Sequence, residues 1–193
     1  MANGFLMDSN FVTHNVVERI TGGLIVTESD HTAIHKGYGY KGSFETGIMA
    51  FGTSKSWSFV TPVGSYVHFK NLRLSVLGAS CKVEFLKDVA ITVDTGTAVA
   101  LMNQNLNSAN VAGSTIKASP TYTGGTVVDS ITVLMDSTNQ FVGSGSSSGF
   151  PYEEIVLKPD EQYVIKVTNI SPDKSITDAV VNFFFYEEPS GSF

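Results

Sequence analysis

Cysteine, positive charge and long apolar runs are all scarce in this chain. Cys81 is the one cysteine, so no intramolecular disulfide can form, and the disulfide framework of small secreted domains is excluded. Lysine and arginine number 12 against 18 acids, a formal net charge of −6, and they are scattered singly. A chain so poor in basic clusters cannot neutralise a phosphate backbone, so nucleic acid is not expected as a partner, nor is an anionic membrane surface. No apolar run approaches the roughly 20 residues a membrane helix needs. The opening Met1-Ala2-Asn3-Gly4 carries no basic stretch, and Phe5-Leu6-Met7 is too short for a signal-peptide core. The expectation is a soluble chain made in a cytoplasm. Charged residues are also few, at 16 % against 42 % hydrophobic, as in a folded protein that hides surface against partners.

What is present is strand pattern. Trp57 and Phe59 alternate with Ser56 and Ser58, and Val67 and Phe69 with His68 and Lys70. Leu72, Leu74 and Val76 follow, then Cys81, Val83 and Phe85 against Lys82 and Glu84. Later, Tyr163, Ile165 and Val167 keep the same period of two, the signature of strands with one buried face. Strand signals also run over 126–135. Ala179 to Tyr186 is apolar on both faces, which fits a sheet centre or a subunit interface. Eighteen glycines with many Ser, Thr and Asn supply the turns. The whole predicts an all-β protein, an antiparallel β-sandwich of jelly-roll type with an N-terminal arm or short helix.

Residues 46–193 read as the sandwich and 1–45 as an arm or assembly segment. In the latter, Asp8, Ser9 and Asn10 can cap a helix carrying Val12, Val16, Val17 and Ile20, while its β-branched content equally suits an extended arm. Gly37, Gly39 and Gly42 interleave with Tyr38, Tyr40 and Phe44, a pattern for an edge strand closely approached by another element. The Asn-rich stretch 103–110 reads as a structured turn or, alternatively, as a polar contact surface. Gly143 to Gly149 has the composition of an exposed loop.

No catalytic constellation appears. His31 and His35 are four apart, a metal spacing only on a helix, and the intervening residues give a helix little support. Glu153-Glu154 and Glu187-Glu188 point to opposite faces of a strand, so neither pair is a glycosidase dyad; both read as solvated strand ends. Asp94, Asp136 and Asn139 match no calcium loop, and Cys81 belongs to an apolar face. Asn169-Ile170-Ser171 reads as a chance glycosylation sequon in a chain expected not to be secreted. No nucleotide-binding or hydrolase motif occurs. The expectation is a non-enzyme without cofactor or metal.

The order of several motifs resembles small structural virion proteins of tailed bacteriophages. These are Ser58-Phe59-Val60-Thr61-Pro62, Val67-His68-Phe69, Val93 to Val99, Asn103 to Ser108 and Ser119 to Thr126. Glu154 to Pro159, Tyr163, Val167-Thr168-Asn169 and Phe185-Tyr186-Glu187 continue it, over residues 36–188 in all. The resemblance implies a jelly-roll head decoration or auxiliary capsid protein, located in the virion. It further implies the major capsid protein, or another virion protein, as partner and self-association as a homotrimer. Leu106 departs from it, standing where a basic residue would be expected in an Asn-x-Asn-Arg-Asn-like motif. The partner-contact candidates are Tyr38, Tyr40, Asn103, Asn105 and Asn107. The alternative is a tail or fibre domain binding host glycan on Tyr38, Tyr40, Trp57, Phe150 and Tyr152; a glycoside hydrolase ranks last.

Overall fold

Alternating apolar residues force strands to pair and bury one face, and that is what the chain does. A computed structural model describes residues 16–17, 24–25, 29–134, 147–149 and 154–189. Two short strands, β1 (Val16–Val17) and β2 (Leu24–Ile25), pair with each other, and helix α1 spans Ser29–His35. Then come β3 (Gly39–Glu45), β4 (Ser54–Val60), β5 (Ser65–Leu77) and β6 (Cys81–Val93). After β7 (Leu101–Asn103) and β8 (Thr115–Ala118) follow β9 (Thr121–Val133) and β10 (Ser147–Gly149). The last three are β11 (Ile155–Leu157), β12 (Gln162–Asn169) and β13 (Asp178–Pro189). The helix expected from Asp8 onward lies outside the described residues apart from Val16–Val17, which pair as strand.

Two antiparallel sheets pack face to face. One has the order β10-β5-β13-β3-β7, with β11 also on β5; the other runs β8-β4-β12-β6-β9. The inward residues are those the period of two selects: Trp57 and Phe59, Val67 and Phe69, Cys81, Val83 and Phe85, Tyr163, Ile165 and Val167 are all buried. Phe59 sits among three other rings, with centroids 5.7 Å from Phe69, 6.5 Å from Phe85 and 5.3 Å from Phe185. Each such ring, fully buried, contributes about 1.5–3 kcal/mol. The doubly apolar run at the C-terminal end is a sheet centre: β13 pairs β5 on one side and β3 on the other. Val181, Phe183 and Phe185 face the core there, while Asn182 is exposed on the outer side.

β3 (Gly39–Glu45), drawn from the segment read as an arm, is a sheet strand, and its glycines allow close approach. A Cβ on Gly42 would lie 2.5 Å from the Phe183 ring. Ser147–Gly149, expected within a loop, instead pairs with 72–74. The remainder of that Gly/Ser stretch lies outside the described residues.

Beyond Leu86, β6 leaves β12 and continues with β9 as a ribbon, from Lys87↔Thr126 to Val93↔Thr121. Register shifts at Phe85/Leu86 and Ile91/Val93 turn it, with the left-handed backbone of Asp88 between them. Two bonds tie the ribbon across the second sheet: Ile91 N–H donates to Gln162 Oε1, and Ser58 Oγ donates to Asp94 Oδ1 at 2.7 Å. Ser58 and Val164 alternate outward yet are fully buried. The chain from 94 to 120 then adds β7 to the edge of β3 and β8 to the edge of β4.

Candidate functional site

Strands that alternate between two sheets leave their connecting loops at two ends of the sandwich. The sequence-derived contact candidates lie together at one end. Helix α1 terminates in a Schellman motif: Tyr38 N–H donates to Ala33 O and Gly37 N–H to Ile34 O, with Gly37 left-handed. The Asn loop binds the carbonyls this leaves over. Asn103 Nδ2 donates to Gly37 O at 2.9 Å, Asn105 Nδ2 to His35 O at 2.9 Å, and Asn110 Nδ2 to Gly37 O at 3.3 Å. The side-chain oxygens of Asn103 and Asn105 accept from the N–H groups of Asn105 and Asn107. The amides of Asn103 and Asn105 are therefore used inside the molecule; Asn107 is exposed.

Tyr40 is 1 % exposed, and its hydroxyl donates to Gly37 O and Val111 O. Burial, with Glu187 and Tyr38 nearby, pushes that phenol up to about 12. Tyr38 is half-buried beside it in an open recess of ≈ 410 Å³ that Glu187 also lines. Glu187 is not a solvated strand end. It is buried and accepts from Gly113 N–H at 2.9 Å and Ser114 N–H at 2.7 Å, bonds that satisfy an otherwise costly carboxylate.

Glu154 departs from the solvated reading in the same way. On the outer side of the first sheet it meets His68 Nδ1, accepts from Lys70 Nζ at 2.7 Å and accepts from Tyr186 OH at 2.9 Å. Burial raises its pKa, but the bonds from His68, Lys70 and Tyr186 outweigh that and bring it down to about 2. The other ring nitrogen of His68 is 2.9 Å from Glu188 Oε2, and the imidazole stacks on Tyr186 with centroids 4.4 Å apart. This is the densest titratable cluster among the described residues, yet a carboxylate so pinned is a poor general base or acid at neutral pH. Glu154 and Glu188 hold opposite edges of the ring, so the two do not converge on one ion. The cluster clasps β11 to β5 and β13.

The opposite end is what sequence reasoning missed. The loop 46–53 is anchored by Met49, which exchanges two backbone bonds with Ile176. Asn169, fully buried, donates to Met49 O at 3.1 Å and to Lys174 O at 2.8 Å, and accepts from Ser171 N–H. Gly52 N–H donates to Asn169 O, and Ile170 N–H donates to Ser80 O, so three loops are tied into one. On this braced end Ile48 is 75 % and Phe51 60 % exposed, with Leu77, Leu134 and Ile170 also exposed. The one signal in the sequence is Ile48-Met49-Ala50-Phe51, an apolar run between glycines, where a loop is normally polar.

Cys81 is fully buried and its thiol is pushed up to about 12 by burial, as expected of a core residue. His31 and His35 contradict the expectation of a non-helical stretch. They lie on α1, exposed, with Nε2 atoms 3.0 Å apart. No group of three or more His, Cys, Asp or Glu side chains among the described residues is placed to hold a metal. None of the described helices is long and apolar enough to cross a membrane. Of the proposed sugar-binding rings, Tyr40 and Trp57 are core residues, and Phe150 and Tyr152 lie outside the described residues. No protein-family pattern and no curated protein sequence matches the chain.

Proposed function

We propose that this chain is a non-enzymatic structural protein of a tailed-bacteriophage virion: a head decoration protein that docks on the major capsid protein and stabilises the coat lattice. The observation that carries the reading is the braced apolar end. Ile48 and Phe51 project from backbone already fixed by Met49 and Asn169, so docking them costs little loop ordering. Buried together against a partner they supply about 3–6 kcal/mol. We read the topology as a jelly roll, the architecture of many capsid domains. Its support is strand order: β3-β13-β5-β11 against β4-β12-β6-β9 is the order in which eight jelly-roll strands interleave, with β7 and β8 as an insertion between the fourth and fifth. The motif resemblance adds self-association as a homotrimer. The test is to mix the purified chain with heads assembled without it. Saturation at a fixed ratio, with heads gaining resistance to heat and chelators, supports the reading; heads equally stable without it refute the clamp.

A second reading, a tail or fibre domain binding host glycan, keeps one observation. Lys41 and Arg73 line a groove of ≈ 650 Å³ with Gln104, Asn182 and Phe184 on the outer side of the first sheet. Among the described residues neither cation shares an ion pair, unlike Lys70, Lys82 and Lys117. A glycan array without binding removes this reading.

A further inference from the structure

The groove on the outer side of the first sheet carries a further inference, which rests on the glycan reading and is independent of head docking. We propose that this groove takes an acidic oligosaccharide, a sugar chain bearing carboxylates on more than one ring. Outward positions on three neighbouring strands build it. Phe184 of β13 stands opposite Lys41 of β3, while Asn182 stands between Ser43 of β3 and Arg73 of β5. Met102 of β7 pairs with Lys41 and forms a wall, and Gln104 follows it. The groove's ≈ 650 Å³ is the size of a small-ligand site.

Charge sets the sign of the ligand. Acids outnumber basic residues 18 to 12 in this chain, yet among the described residues neither Lys41 nor Arg73 has an acid partner. The acids of the same face are engaged or set apart. Glu154 and Glu188 hold His68, and Glu45 lies opposite Val180, beyond Ser43. With a net charge of −6 the whole protein repels a polyanion, so any attraction must be local to the groove. Lys41 and Arg73 sit two strands apart, about 9–10 Å, and two residues out of step, about 7 Å. That separation suits two carboxylates along one chain, one met by the planar fork of Arg73 and one by the compact charge of Lys41.

The surface between the charges favours sugar over peptide. It offers the ring of Phe184 with the side chains of Ser43, Asn182 and Gln104, each able to donate and to accept. A sugar ring has an apolar face and a rim of hydroxyls that also donate and accept, which matches both. The platform is stiff, because β13 is paired on both sides, so binding orders little backbone.

The test is calorimetry of the full chain with tetragalacturonate and with tetrameric sialic acid. We expect at least one to bind one-to-one and to weaken with added salt. The methyl ester of that tetramer, which keeps the hydroxyls and loses the charge, binds at least tenfold more weakly. So does tetraglutamate, which keeps the charge and loses the rings. Lys41→Gln and Arg73→Gln each weaken binding at least fivefold, while Lys87→Gln, on the exposed ribbon, leaves it unchanged. All three positions are exposed, so melting stays close to wild type. Neither tetramer bound, tetraglutamate bound as tightly, or an equal loss in Lys87→Gln overturns the proposal. A methyl ester bound as tightly as the acid overturns it too, but leaves the glycan reading standing. Head binding by Lys41→Gln and Arg73→Gln reports separately on the virion reading.

Discussion

The two ends of the sandwich use opposite materials, and the comparison shows why a polar loop need not be a contact surface. At the helix end, asparagines that look available from sequence spend their amides on His35 O and Gly37 O. At the other end Asn169 is hidden, and Ile48 and Phe51 reach solvent beside the exposed Asp173 and Ser175. Leu106, Val111 and Val63 are exposed at the helix end as well, on the loops 103–114 and 61–64. A partner gains most by covering apolar surface on backbone that is already ordered. By that measure the Met49 end is the one we propose for docking.

The comparison breaks most severely at its braces. Asn169→Ala removes the bonds to Met49 O and Lys174 O and leaves Ser171 N–H without its acceptor. It is expected to lower stability by about 2–4 kcal/mol in denaturant melts and to loosen both loops in hydrogen exchange. An unchanged midpoint would mean the end is not braced through this side chain. Asn103→Ala removes the capping bond to Gly37 O with those to Asn110 O and from Asn105 N–H, and is expected to cost about 1–2 kcal/mol, with increased amide exchange confined to α1 and the Asn loop.

Acid should discriminate between the ends and the middle. Glu154 titrates at about 2 in the folded chain, below its ordinary 4.5, so its stabilising share is full above the ordinary value. That share is lost as pH falls from there through about 2. A melting series should therefore drop more steeply in that window for wild type than for Glu154→Gln; parallel curves would remove the clasp role. Smallest of all, Leu106→Ser and Val111→Ser are expected to change stability by less than about 0.5 kcal/mol and to leave head binding unaltered.

Alternation along single strands made the core legible: Phe59, Phe85 and Ile165 face inward because neighbours two apart must share a face. What escaped reading depends on groups far apart in sequence. The stretch 29–35 has weak helical character of its own and is capped by asparagines about seventy residues away. Glu187 reads as a strand-end acid because its partners, the N–H groups of Gly113 and Ser114, belong to an insertion. Tyr40 reads as a contact ring because nothing local shows that Val111 O will meet its hydroxyl. The end proposed for docking was hidden for the opposite reason: Met49 between Ile48 and Phe51 shows no period that separates a buried anchor from exposed neighbours.

The most direct test is mass photometry of heads mixed with wild type and with the double variant Ile48→Asp/Phe51→Asp. The substitutions are at exposed positions, so fold and melting should stay close to wild type. The docking account predicts saturation of the heads by wild type and at least a hundredfold weaker binding by the variant. Equal binding by the two proteins would place the contact elsewhere on the sandwich and contradict it.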